Sequence, residues 1–81
     1  MATDLTFDVV LANILAPALI ALAPTLTRLT RPGGMLILSG LLAHQADEVE
    51  AAYRTHFDFE HALRDDWAML AGQRRLTTTN M

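Results

Sequence analysis

Leu5-Thr6-Phe7-Asp8-Val9-Val10-Leu11-Ala12-Asn13 holds a nearly continuous β-branched and aliphatic run that closes on a polar residue. Unbroken apolarity, in place of a polar/apolar alternation, marks a strand covered on both faces, and such strands belong to parallel sheets. From Ile14 the period changes. Leu15, Leu19, Leu22, Leu26 and Leu29 recur at spacings of three and four, which is one face of a helix. Pro17 falls in the first turn, where its missing N–H costs little. Pro24 falls in the interior and predicts a kink or a split, at about 3 kcal/mol if unrelieved. Arg31-Pro32-Gly33-Gly34 stops the helix. Met35-Leu36-Ile37-Leu38 is a second buried strand closing on Ser39-Gly40, and residues 43–56 are helical again, with Ala46, Val49 and Tyr53 inward. Phe57 to Leu63 alternates at period two, as a strand near a sheet edge does. Asp65-Asp66 marks a turn and Trp67 to Gln73 a returning strand, so the pair forms a hairpin.

The order β-α-β-α-β-β predicts an α/β fold whose first two strands are parallel neighbours joined by a right-handed crossover. If the strand order keeps advancing in one direction, both crossover helices lie on the same face. The first strand, however, asks for cover on both faces. A missing part of the same protein or a partner is therefore expected on the other face. Composition agrees with a folded piece: 52% of the 81 residues are apolar and only 19% charged, which excludes disorder. A chain this short buries only about 60% of its unfolded surface and is marginally stable, and with no cysteine no disulfide or thiolate metal site reinforces it. The six basic residues are all arginine and the net charge is −3, so no general basic field for nucleic acid exists. Val9 to Pro24 is interrupted by Asn13, Pro17 and Pro24 and falls short of the ~20 residues of a membrane span. Asp4 and Asp8 stand where a secretory signal carries basic residues. A cytoplasmic protein without membrane or direct nucleic-acid contact is expected.

Asn13 is the foremost candidate for a functional residue. In open parallel sheets ligands sit beyond the carboxyl ends of the strands, and a carboxamide there offers one acceptor and two donors. The same residue could instead cap the helix that starts near Leu15, and the two roles can coexist. Ser39, at the tip of the second strand, faces the same crevice or serves the turn. Gln45 points back toward it or is solvated. Gly33-Gly34 precedes a strand and lacks the spacing of a phosphate loop. His44, His56 and His61 show no metal-ligand spacing, and His61 falls on the opposite strand face from Asp58, so no metal is expected. Arg74-Arg75 is a solvated strand end or a contact for an acidic partner. Trp67, Phe57 and Phe59 are expected to anchor the hairpin core. No Ser-His-Asp or Cys-His set assembles, so no catalytic residue is named.

The blocks Phe7-Asp8-Val9-Val10-Leu11-Ala12-Asn13-Ile14-Leu15-Ala16, Leu22-Ala23-Pro24, Arg31-Pro32-Gly33-Gly34 and Leu36-Ile37-Leu38-Ser39-Gly40-Leu41-Leu42, with Gln45, resemble the PrmA-type ribosomal-protein methyltransferases, which modify the large-subunit protein L11. The likeness covers roughly residues 5–75. It implies a Rossmann-like class I fold of seven strands, of which this chain holds the fourth to the seventh over residues 1–76; the polar run Thr77-Thr78-Thr79-Asn80 itself predicts a frayed tail at residues 77–81. It also implies a transferase that moves methyl groups from S-adenosylmethionine to amino groups of the ribosomal protein, and it assigns cofactor contact to Asn13. The family's Gly-rich cofactor loop, its ribose-binding acidic residue and its substrate-recruiting domain have no counterpart in this sequence. The expectation is thus a C-terminal fragment, catalytically silent alone, that needs its N-terminal part or a second copy. The alternative is a non-catalytic interaction module that dimerises through the exposed sheet face.

Overall fold

The computed structural model describes residues 5–76; the tail expected at residues 77–81 lies outside them. The elements follow the expected order: β1 (Phe7–Asn13), α1 (Ala16–Ala21), α2 (Ala23–Leu29), β2 (Thr30–Leu42), a 3-10 turn (Ala43–Gln45), α3 (Ala46–Tyr53), β3 (Phe57–Arg64) and β4 (Trp67–Arg74). They build a mixed α/β fold on a four-stranded sheet of order β1-β2-β4-β3. β1 and β2 are parallel, and β4 runs antiparallel to both β2 and β3. β3 is accordingly parallel to β2 but one strand removed from it, and β4 fills the gap.

Pro24 splits the predicted helix. It lacks the N–H that would bond to Ile20, so the ladder breaks at Leu22 and Pro24 falls in the first turn of α2. The break reorients the chain, and Leu15 and Leu22 of the expected inner face end up exposed, whereas Leu19 is fully buried. β2 is longer than the sequence pattern implies. It begins at Thr30, accommodates Arg31 to Gly34 in a register irregularity opposite Asp8, and runs past Ser39-Gly40 to Leu42 because β4 continues the pairing after β1 has ended.

One face of the sheet carries the core. Ala12 of β1, Leu36, Leu38 and Leu41 of β2 and Ala68 and Leu70 of β4 pack against Ala16, Leu19, Ala23, Ala46, Val49 and Tyr53 of the helices. Tyr53 makes edge contacts with Phe57 and Phe59, whose rings stack on each other. The Phe59 ring lies across Gly72 of the neighbouring strand, so close that a methyl group there would meet it at 2.4 Å. The helix ends are held by arginine. Arg74 Nη1 donates to the Thr27 and Thr30 carbonyls at 2.9 and 2.6 Å, where α2 finishes. Arg75 donates to the Arg54 and Thr55 carbonyls beyond α3 and pairs with Asp58. The basic end read as a solvated strand end or a contact for an acidic partner instead closes two helices, as cations near helix C-termini do.

The other face has no layer of its own among the described residues. Phe7, Val9 and Leu11 of β1 point into it, with Leu11 72% exposed, and so do Trp67 and Met69 of β4. The unbroken apolarity of β1 is therefore half used. Trp67 departs from its expected place: it lies on this face, opposite the Phe57–Phe59 core. No helix among the described residues is long and apolar enough to cross a membrane.

Candidate functional site

Three consequences of the fold meet at the carboxyl edge of the parallel pair. β1 ends at Asn13, which stands opposite Ser39 as the last residue pair between β1 and β2. One step later β2 is bulged: Leu38 pairs with Leu70 and Leu41 with Ala68, so Ser39 and Gly40 together oppose the single residue Met69. Gly40 takes φ +87°, a conformation that L side chains rarely adopt. Beyond it, the two-residue turn Asp65-Asp66, with Asp65 at φ 55°, brings Arg64 and Trp67 to the same edge.

Between the strand tips and the hairpin lies an open cleft of about 750 Å³. Asn13, Ile14 and Leu15 form one wall, Ser39 and Gly40 the floor, and Ala62, Leu63, Arg64, Trp67, Ala68 and Met69 the other wall. Its character is apolar, with the Asn13 carboxamide and the Ser39 hydroxyl as uncharged polar groups and Arg64 as the one charged residue lining it. No carboxylate or imidazole lines it among the described residues. The cleft can therefore bind and orient a molecule, but its own walls supply no titrating base.

Asn13 is exposed and does not cap α1. The cap position is Leu15, and no side chain bonds there. That leaves the carboxamide available to the cleft, and the capping alternative falls. Ser39, for which a turn role and a place at the crevice were both open, lines the cleft. Gln45 does not: its Oε1 accepts the Leu42 N–H at 2.9 Å and secures the turn into α3. Gly33 and Gly34 lie away from the cleft in the irregular start of β2.

Sequence reasoning missed the hairpin wall. The signal was present in the strand parity, because a two-residue turn pairs Arg64 with Trp67 and so places Trp67 opposite the odd-numbered Phe57 and Phe59. A second cluster was also missed. Asp47, Glu50 and His61 bring donor atoms within 4.8 Å of one another, with His61 Nε2 2.6 Å from Glu50 Oε1. The histidine spacing had given no hint of it, since the partners come from a different element. His61 is on the opposite face from Asp58, as expected.

Known proteins resemble this chain in sequence and in fold. The family model of the ribosomal protein L11 methyltransferase (PrmA) matches residues 1–75. Ribosomal protein L11 methyltransferases of Pseudomonas aeruginosa (strain LESB58) and Pseudomonas putida (strain GB-1) are 58% and 54% identical over 69 residues, or 84% of this chain. The chain spans 24% of the length of these curated relatives. The crystal structure of a ribosomal protein L11 methylase from Lactobacillus delbrueckii subsp. bulgaricus superposes with a TM-score of 0.80 at 32% identity, covering 90% of this chain and 39% of that one. A match over nearly the whole chain, in sequence and in fold, places this protein in the ribosomal protein L11 methyltransferase (PrmA) family.

Proposed function

We propose that residues 1–76 are the C-terminal part, strands four to seven, of a Rossmann-like class I methyltransferase domain that methylates amino groups of ribosomal protein L11 in the cytoplasm with S-adenosylmethionine. The observation that carries this reading is Asn13, not used as a helix cap and exposed at the carboxyl end of a parallel strand, in a cleft it shares with Ser39 and Gly40. Ligands of open α/β sheets collect at such strand ends. Among the described residues the lining offers the cofactor an uncharged carboxamide and apolar walls, with Arg64 as the charged residue. When bound, S-adenosylmethionine supplies an activated methyl group. Asn13 would hold the ligand at its reactive end, and its carboxamide oxygen would accept an N–H of the incoming amine and aim the lone pair, which is catalysis by positioning.

The bare sheet face supports a further part of the reading. Phe7, Val9, Leu11, Trp67 and Met69 would be covered by the remaining catalytic domain, and the isolated 81-residue chain is silent without it. The test is a graft in which residues 5–75 replace the matching segment of the Pseudomonas aeruginosa relative. A graft that transfers labelled methyl from S-adenosylmethionine to L11 supports the reading; a folded but inactive graft overturns it. The exposed face also favours a second reading, a non-catalytic module that pairs through that face. It predicts a discrete dimer of the 81-residue chain that binds no S-adenosylmethionine.

A further inference from the structure

We propose that Gly40 is a positioning residue for this site: the side chain it lacks sets where the Asn13 carboxamide stands. The inference rests on the role given to Asn13 above and deepens it. A methyl carbon at position 40 would lie 2.7 Å from Asn13 Oδ1, 2.7 Å from the Ile14 carbonyl oxygen and 3.0 Å from the Ile14 nitrogen. Below 3.0 Å something must shift, cheaply only where the atom met is the far end of a flexible side chain, and two of these three atoms belong to backbone that cannot swing aside. The tip of β1 therefore rests directly on the Gly40 backbone, and any β-carbon pushes against the Asn13 carboxamide and the Ile14 backbone together.

The bulge explains why the contact exists. An extra residue at Ser39-Gly40 turns β2 toward the end of β1, and bulges re-aim neighbouring groups in this way. Positive φ and absent side chain are two separate demands at this position, and the chain contains a control that separates them. Gly33 has nearly the same torsion, φ +85° against +87°, but a methyl there meets the far ends of flexible side chains, Leu76 Cδ2 at 2.9 Å and Arg31 Nη1 at 3.4 Å. It lies outside the cleft. Alanine at 33 thus carries the torsional strain without the steric push on Asn13.

The test has two arms. In the first, side-chain amide resonances of Asn13 are followed in the 81-residue chain, where Asn13 is one of two asparagines. Gly40→Ala is expected to shift them and Gly33→Ala to leave them in place. Gly40→Asn, whose residue tolerates positive φ yet still carries a β-carbon, should shift them as Gly40→Ala does, and it answers the question if the alanine variant fails to fold. In the second arm, the graft carries the same substitutions. Gly40→Ala should lower methyl transfer about 100-fold, the scale of a 1 Å misplacement, and should add nothing in an Asn13→Ala background. Unmoved Asn13 resonances, or a loss in transfer no greater than that of Gly33→Ala, would overturn the proposal. Should Gly40→Ala shift the resonances while Asn13→Ala leaves transfer intact, the positioning stands and the cofactor role of Asn13 falls.

Discussion

The Tyr53 hydroxyl donates to the Leu19 carbonyl at 2.5 Å, tying α3 to α1 across 34 residues in the buried layer. The phenol is almost wholly removed from water, and burial pushes its pKa from 10.0 up to about 12. Below pH 10 the group is protonated whether the chain is folded or unfolded. Between about 10 and about 12 the unfolded chain releases the proton while the folded one keeps it, so stability falls through that window and then levels. The loss is on the order of 2–3 kcal/mol. Denaturant melts at pH 9 and pH 12 should show it. Tyr53→Phe, which forfeits roughly 1 kcal/mol of hydrogen bond at neutral pH, should flatten the dependence.

Adjacent strands offer a contrast in burial. Leu36 on β2 is fully buried against the helices, and Leu11 on β1 faces away from them at 72% exposure. Leu36→Ala should cost about 2–5 kcal/mol, enough to unfold a chain of this size, whereas Leu11→Ala should stay within about 0.5 kcal/mol. Chemical denaturation of both variants, below the concentration at which the chain self-associates, decides it. Equal losses would mean that both sheet faces are covered in the isolated chain.

This contrast also marks what the sequence disclosed. Element order, the parallel pair, the hairpin and the one-sided helix layer were all legible, because apolar period and breakers act locally. The inference of a bare second face came from counting the faces that β1 asks to bury against the helices available. What stayed hidden depends on register and distant partners. Arg74 finds its acceptors 44 and 47 residues away, and no local pattern announces that. The bulge at Ser39-Gly40 appears as a turn until β4 is paired alongside. Of the residues that line the cleft, Asn13 was placed there from its strand end and Ser39 as one of two alternatives, while Arg64 and Trp67 required the hairpin register.

Arg74→Ala follows from that hidden contact. Two carbonyls at the end of α2 lose a charged donor, and hydrogen bonds to charged groups contribute about 1.5–3 kcal/mol. The variant should melt lower than the wild-type chain by that order. Arg64→Ala, whose side chain borders the open cleft, should leave the melt nearly unchanged. A solvated Arg74 would leave both melts alike.

The bare face predicts behaviour in solution. Exposed apolar patches of this kind associate, so the isolated chain should self-associate at micromolar concentrations in sedimentation velocity. Leu11→Lys, placing charge at the centre of β1's open face, should shift it toward monomer without disturbing the helix-side core. A monomeric wild-type chain at all concentrations would contradict this.

The proposed role of the Asn13 carboxamide is to act on the bound cofactor and amine from the end of β1. Its most direct test is steady-state methyl transfer to L11 by the grafted enzyme with Asn13→Ala, beside the grafted parent. With that role, kcat/KM is expected to fall by about 100-fold, the scale of lost positioning, with the melting temperature unchanged. Retention of the parent's kcat/KM would contradict it and would move the reactive end of the cofactor to another part of the cleft.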